Sequence, residues 1–160
     1  MSRADLANTT CAISRAVERV GDPWVLIILR EVFLGSRRFD AFQRHTGASP
    51  HILSQRLKKM CADGILERRL YSDHPPRYEY MVTEKGRDLW PVLVMLKAWG
   101  DKWMGQDGSV TLTHKGCGHD MRPQIVCPEC GDPLQAHDVR ATISPELAAE
   151  REQRKLGETK

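Results

Sequence analysis

Along the first hundred positions, apolar residues recur with the spacing of amphipathic helices, interrupted once by strict alternation. In CAISRAVERV (11–20), Ile13, Ala16, Val17 and Val20 share one face. Thr9 and Thr10 are polar cap candidates ahead of it, and Gly21 is its stop. Asp22-Pro23 restarts a helix, with Asp as N-cap and Pro at the first helical position. The run from Trp24 to Leu34 is apolar on nearly every side, so this helix is expected at the centre. Asp40 and Gln43 have capping-box spacing and open a short helix reaching His45. After the break at Thr46-Gly47-Ala48, Ser49-Pro50 begins a helix to about Ala62. Leu53, Leu57, Met60 and Cys61 form its inner face, and Pro50, His51, Ser54, Gln55 and Lys58 its outer one.

Two β-leaning runs follow, Ile65 to Tyr71 and Arg77 to Thr83; in the second, Tyr78, Tyr80 and Val82 alternate with Arg77, Glu79 and Met81. A hairpin with a proline-stiffened tip is expected. A long helix from about Glu84 to Met104 carries Leu89, Val92, Leu93, Leu96, Trp99 and Trp103 on one stripe, and Trp90, Val94 and Met95 widen it. Pro91 should bend it slightly. Gly105 to Gly108 reads as a linker. Beyond it, short β-leaning pieces (Val110 to Thr113, Gln124 to Val126, Val139 to Thr142) surround a Cys/His cluster, and Glu146 to Leu156 reads as a charged helix before a frayed tail. The expected fold is therefore mainly α with a small β-hairpin, in three parts: 11–105, 109–143, and a charged helix and tail at 144–160.

Two short helices joined by a glycine-bearing turn and followed by a hairpin have the order of a winged helix-turn-helix, a DNA-binding unit. The side chains suit that work. His51, Ser54 and Gln55 can reach base edges, Gln being suited to adenine, and Lys58 is able to join them. Ser49 and Pro50 open the same helix. Arg37, Arg38, Arg44, Lys59, Arg68, Arg69 and Arg77 are candidates for phosphate pairing, with His74 at the wing tip. Charge distribution agrees: residues 30–87 hold twelve Lys or Arg against seven Asp or Glu, in a 160-residue chain of net charge +3. With 41% hydrophobic and 28% charged residues the chain reads as globular. No apolar run is long enough to span a bilayer and no signal peptide opens the chain, so a cytoplasmic protein is expected.

Residues Cys11 to about Gly105 resemble the HxlR-type winged-helix transcriptional regulators. The resemblance rests on CAISRAVERVGDPWVLIILREVFLGSRRFDAFQR, SPHILSQRLKKMCADGILERRLY, PPRYEYMVTEKG and a long helix ending in AWG. It implies a homodimeric, sequence-specific regulator that binds double-stranded DNA, has no catalytic residues, and builds its dimer from the first and last helices. Ile13, Val17, Trp90, Val94, Trp99 and Trp103 are the expected interface. A two-fold dimer would set its recognition helices about 34–36 Å apart on a near-palindromic operator. Alternatives are a winged-helix protein-interaction module, and a regulator answering to a small aromatic ligand held by the tryptophans.

Five cysteines in a chain this size point to metal or thiol chemistry rather than a disulfide scaffold. His114-Lys-Gly-Cys117-Gly and Cys127-Pro-Glu-Cys130-Gly repeat one pattern: ligand, two residues, Cys, Gly. Three thiolates and an imidazole would make a closed, structural Zn²⁺ site of zinc-ribbon type, with His119 an alternative to His114 through the less usual Cys-x-His spacing. Cys127-Pro-Glu-Cys130 could also serve thiol redox chemistry, but the paired pattern and the missing βαβ context argue against an oxidoreductase. Cys11 stands at the start of a helix with Arg15 one turn on. Some HxlR-like regulators sense oxidants or electrophiles through a cysteine in this segment; the other reading is a small residue packed in the interface. Cys61 is expected to be inert core.

Overall fold

The structure is a computed structural model in which residues 3–105 and 110–157 are described. Most of the expected linker, Gly105 to Gly108, and the end of the tail lie outside these residues. By contact the chain forms two compact units, Met1–Asp88 with Thr142–Lys160, and Leu89–Ala141. This division falls at 88/89, ahead of the long helix, whereas composition placed a boundary at 105–109.

In the first unit, α1 (Arg3–Ala7) precedes α2 (Ala12–Val20), whose N-cap is Cys11, without a side-chain cap. Thr9 and Thr10, expected as caps, lie outside that position. The central helix α3 (Pro23–Phe33) begins as its sequence dictates: the Asp22 carboxylate accepts from the Trp24 N–H at 2.9 Å, and Pro23 fills the first turn. α4 (Phe39–Thr46) is capped at Arg38, so Asp40 sits in its first turn instead of capping it. Gly47, at φ 70°, supplies the left-handed residue that reverses the chain. Ser49 then caps α5 (Pro50–Ala62) by accepting from the Ile52 N–H.

The core is the meeting place of these helices: Val25, Ile28 and Leu29 of α3, Phe42 of α4, and Leu53 and Leu57 of α5 are 0% exposed. Each such side chain contributes roughly 1.5–3 kcal/mol of burial. Strands β1 (Leu66–Asp73) and β2 (Pro76–Val82) pair antiparallel from Leu66↔Val82 to Asp73↔Pro76, leaving a two-residue tip at His74-Pro75. Tyr71 is the extra residue of a bulge between Leu70 and Ser72. An isolated bridge, Arg38↔Glu79, adds the segment before α4 to the outer side of β2. α8 (Pro145–Gly157) also belongs to this unit.

The expected continuous helix 84–104 is two. α6 (Glu84–Arg87) starts at Thr83, whose hydroxyl accepts from the Gly86 N–H at 3.0 Å, and α7 (Trp90–Trp103) begins afresh with Pro91 in its first turn. Proline lacks the N–H that a continuous helix would need, and it is better placed at a helix start than in an interior. Within the second unit Val94 is 6% exposed, on the side of α7 that shares a cavity of about 150 Å³ with Val110, Leu112 and Met121. Strands expected beyond residue 109 are reduced to two isolated bridges, Thr113↔Asp120 and Val126↔Pro133, and Val139 to Thr142 is not extended into a strand.

Candidate nucleic-acid interface

α5 divides as its pattern requires. Leu53, Leu57 and Met60 are buried, and Pro50, His51, Ser54, Gln55 and Lys58 are exposed. The Gln55 amide nitrogen lies 2.9 Å from His51 Nε2, one turn back. This contact uses one amide N–H of an exposed side chain; an oxygen and a second N–H of a carboxamide are the donor–acceptor pair that matches adenine. Ser54 stands beside this pair on the same exposed face.

Lys59, expected on phosphate, is turned the other way. Its Nζ is 2.9 Å from Asp63 and 3.5 Å from Glu18, and Arg19 Nη1 reaches Asp63 at 2.6 Å. Burial pushes the Asp63 carboxyl up, but hydrogen bonds and charge from Lys59 and Arg19 carry it below the ordinary carboxylate value. This cluster ties α2 to the end of α5, so Lys59 has a structural partner set. Arg56, also on α5, reaches inward to Asp22 at 2.9 Å.

The wing is held against α4 by arginine. Arg38 bonds Glu79 at 3.1 Å, and its guanidinium lies 4.3 Å from the centre of the Tyr71 ring. Arg69 reaches the same Glu79 at 3.6 Å, Arg68 stacks on Tyr78 at 4.0 Å, and Arg37 contacts Met81 Sδ. Because Glu79 carries part of this charge, the freer cations of the face are Arg44, Lys58 and Arg77, all exposed and without an ion-pair partner among the described residues. His74 is exposed at the tip. Sequence pattern gave no sign of Glu79 as the residue that positions Arg38, since the pairing comes from the strand register. Nor did it show the buried Glu31, whose carboxylate lies 3.3 Å from His45 Nδ1 and near the Ser36 hydroxyl, joining α3 to the end of α4.

Of the expected dimer residues, Ile13 (75% exposed), Val17, Trp99 and Trp103 (65%) present apolar surface. Trp90 is half-buried. Val94 is a correction: it is buried inside its own unit and is not available to a partner. The exposed stripe of α7 is instead Val92, Met95, Leu96, Trp99 and Trp103. The cavity beside Val94 has no tryptophan in its wall.

Cys11 is partly exposed, and hydrogen bonds from the Ser14 side chain and backbone hold its thiol below the usual value, against burial and the nearby Glu150 charge. Cys61, expected in the core, is half-buried, and burial pushes its thiol up. In the second unit, His114 Nδ1 is 3.1 Å from Cys117 Sγ, and Cys127 is hydrogen-bonded to Cys130. Among the described residues no three His, Cys, Asp or Glu side chains are assembled to hold a metal; the ligand candidates stand as two pairs.

The sequence profile of the HxlR-like helix-turn-helix family matches residues 19–108. The chain belongs to this family. Curated relatives agree: the HTH-type transcriptional regulator Rv3095 of Mycobacterium tuberculosis is 38% identical over 140 residues, 86% of this chain and 89% of its own, and sll1512 of Synechocystis is 36% identical over 101 residues, 61% and 73%. Among solved structures, the transcription factor PA1607 has a TM-score of 0.77 at 29% identity, covering 88% of this chain and all but 1% of its own. The redox regulator HypR in its oxidised form has a TM-score of 0.54 at 32% identity over 57% of this chain and 96% of its own.

Membership in the HxlR-like family accounts for the α3–α4–α5 core and the wing. The profile begins after Cys11 and ends before His114. The Cys11 segment and the segment of Cys117, Cys127 and Cys130 therefore lie outside it, and of the five cysteines Cys61 lies within it. The match to Rv3095, at 86% of the chain, necessarily runs past residue 108. No described helix is long and apolar enough to cross a membrane.

Proposed function

We propose that this HxlR-like protein is a homodimeric, sequence-specific DNA-binding transcriptional regulator with a reactive thiol at Cys11. The observation that carries the reading is the outer face of α5: His51, Ser54, Gln55 and Lys58 are all exposed on a helix whose other side is locked into the core. Such a helix offers short polar groups to base edges, while Arg44, Arg77 and the arginines at the wing offer charge to the flanking phosphates. Dimerisation covers the apolar faces of α2 and α7, which a soluble monomer would leave in water. Support for thiol sensing is the lowered Cys11 thiol and the similarity to HypR, a redox regulator.

The test is binding of the full chain to duplex DNA from upstream of its own gene, beside a scrambled duplex, across a salt series. Affinity should fall linearly on a log–log scale with salt for both, with the native duplex bound tighter. Gln55→Ala should narrow the gap between the two duplexes. A protein-interaction module would show neither preference nor salt-steep duplex binding, and that result would overturn the proposal.

A further inference from the structure

The segment after α7 is built from one hairpin used twice, thirteen positions apart. In the first copy the Met121 N–H donates to the Leu112 carbonyl at 2.7 Å, Thr113 bridges Asp120, the His114 N–H donates to the His119 carbonyl, and the Gly118 N–H donates to the His114 carbonyl. The second repeats each of these contacts: Leu134 to Ile125 at 2.8 Å, Val126 with Pro133, Cys127 to Asp132, and Gly131 to Cys127. Gly118 and Gly131 both take a left-handed conformation, at φ 72° and 77°. Their sequences share little beyond the ligand-type residues and this glycine. Superposing the two copies sets His114 on Cys127, Cys117 on Cys130, and His119 on Asp132.

That correspondence decides what spacing left open. His119 occupies the place of Asp132, and its contact in the turn is through its backbone carbonyl. His114 occupies the place of a cysteine, and its Nδ1 is already beside Cys117 Sγ. Gly116 makes room for it: a Cβ there would stand 3.0 Å from the His114 ring. In the other copy, where a smaller thiol replaces the ring, the matching position holds Glu129. The turn is shaped around an imidazole.

A second observation concerns what holds this segment together. No described residue from 110 to 141 is buried, and Ile125, Val126 and Val139 are about half exposed or more. A segment with so little apolar core ordinarily depends on a disulfide or a metal.

We propose that the two pairs, His114 through Nδ1 with Cys117 and Cys127 with Cys130, are drawn together on binding one structural Zn²⁺ that joins the two hairpins, and that His119 is not a ligand. On binding, the three thiols release their protons to solvent and four donor–metal bonds form, giving a closed centre of net charge −1 with no position left for catalysis. The proposal stands independently of DNA recognition.

The test uses the purified full chain, its zinc content, and titration of chelator-treated protein with Co²⁺ and then Zn²⁺. One zinc per chain is expected, with the intense visible absorption and thiolate charge-transfer band of tetrahedral cobalt. His114→Ala and Cys130→Ser should weaken zinc binding by more than about a hundredfold, beyond what loss of an outer hydrogen-bond partner costs. His119→Ala should change it little. Should Cys130→Ser fail to fold, Cys130→His, which restores a fourth donor, must still take up zinc. Absence of stoichiometric zinc, an octahedral cobalt spectrum, a zinc-free Cys130→His protein, or loss of binding in His119→Ala but not in His114→Ala overturns the assignment.

Discussion

Asp22 does two things at once: it caps α3, and through Oδ2 it holds Arg56 of α5 at 2.9 Å. One carboxylate thereby adds a polar tie to the apolar packing between the central helix and α5. Burial pushes that carboxyl up, yet hydrogen bonds from Arg56 and the Trp24 N–H, with the Arg56 charge, bring it below the ordinary carboxylate value. A carboxylate whose folded-state pKa lies below its unfolded value of about 3.9 adds stability that is complete above that pH. The contribution is lost as pH falls through the folded value. Asp22→Ala should cost about 1–3 kcal/mol at pH 7, from the lost cap and the unpaired arginine. Asp22→Asn keeps the cap and should cost less. Urea unfolding should show the gap between wild type and Asp22→Asn closing only below about pH 4.

Neighbouring lysines on α5 should behave in opposite ways. Lys58 is exposed and unpaired among the described residues, whereas Lys59 lies between Asp63 and Glu18. Lys58→Ala should weaken binding to all duplexes alike and lower the salt slope by about one, with no change in urea midpoint. Lys59→Ala should leave the salt slope unchanged and reduce stability by up to about 1 kcal/mol. Swapped outcomes would mean that the outer face of α5 has been assigned one residue out of register.

On the reading face, Gln55→Ala and His51→Ala should act on sequence preference, since the His51 ring orients the Gln55 amide. A loss of about 1–3 kcal/mol in discrimination between operator and scrambled DNA is expected for Gln55→Ala. His51→Ala should lose part of the same preference, and the double variant should lose no more than Gln55→Ala alone. Arg77→Ala, by contrast, should weaken both duplexes equally.

The helix-turn-helix and wing were legible because each rests on local signals: caps at Asp22 and Ser49, a left-handed glycine at Gly47, and alternation in 77–83. The pairing of Lys59 is not legible, because composition reports charge and not direction. Its partners, Asp63 and Glu18, come from a helix turn and from a different helix. The burial of Val94 is not legible for a similar reason. On a helix with apolar residues at every position from 90 to 96, no period distinguishes the side packed within the chain from the side left exposed, and the position of Val110, Leu112 and Met121 makes the difference. Pro91 begins a helix where the pattern predicts a bend, since residues 84–104 carry apolar spacing across the break.

This division of α7 gives a paired test of the proposed dimer. Trp99 and Trp103 are 53% and 65% exposed, and Val94 is 6% exposed. Trp99→Glu should raise the dimer Kd by at least about thirtyfold, the equivalent of a 2 kcal/mol hot spot, as read by sedimentation equilibrium. Val94→Asp should leave the dimer Kd nearly unchanged and instead loosen residues 110–141 to protease.

Glu150 on α8 accepts from both the N–H and the hydroxyl of Thr10, at 2.9 and 2.5 Å, one residue before Cys11. Arg15 closes the same segment by donating to the Thr9 and Thr10 carbonyls at 2.8 Å. The hydrogen bonds at Ser14 lower the Cys11 thiol, and the Glu150 charge opposes them. Glu150→Gln keeps an acceptor for Thr10 and removes the charge, so the thiolate fraction of Cys11 at pH 7 should rise. Site-resolved alkylation by iodoacetamide, in which the thiolate forms the S–C bond and iodide leaves, should become faster at Cys11 and unchanged at Cys61. Its pH profile should move to lower pH, and moderate salt should shrink the difference, because the interaction is exposed to solvent. Oxidant-driven release from DNA should then need less diamide in Glu150→Gln and vanish in Cys11→Ser; an unaltered response in Cys11→Ser removes this thiol from the mechanism.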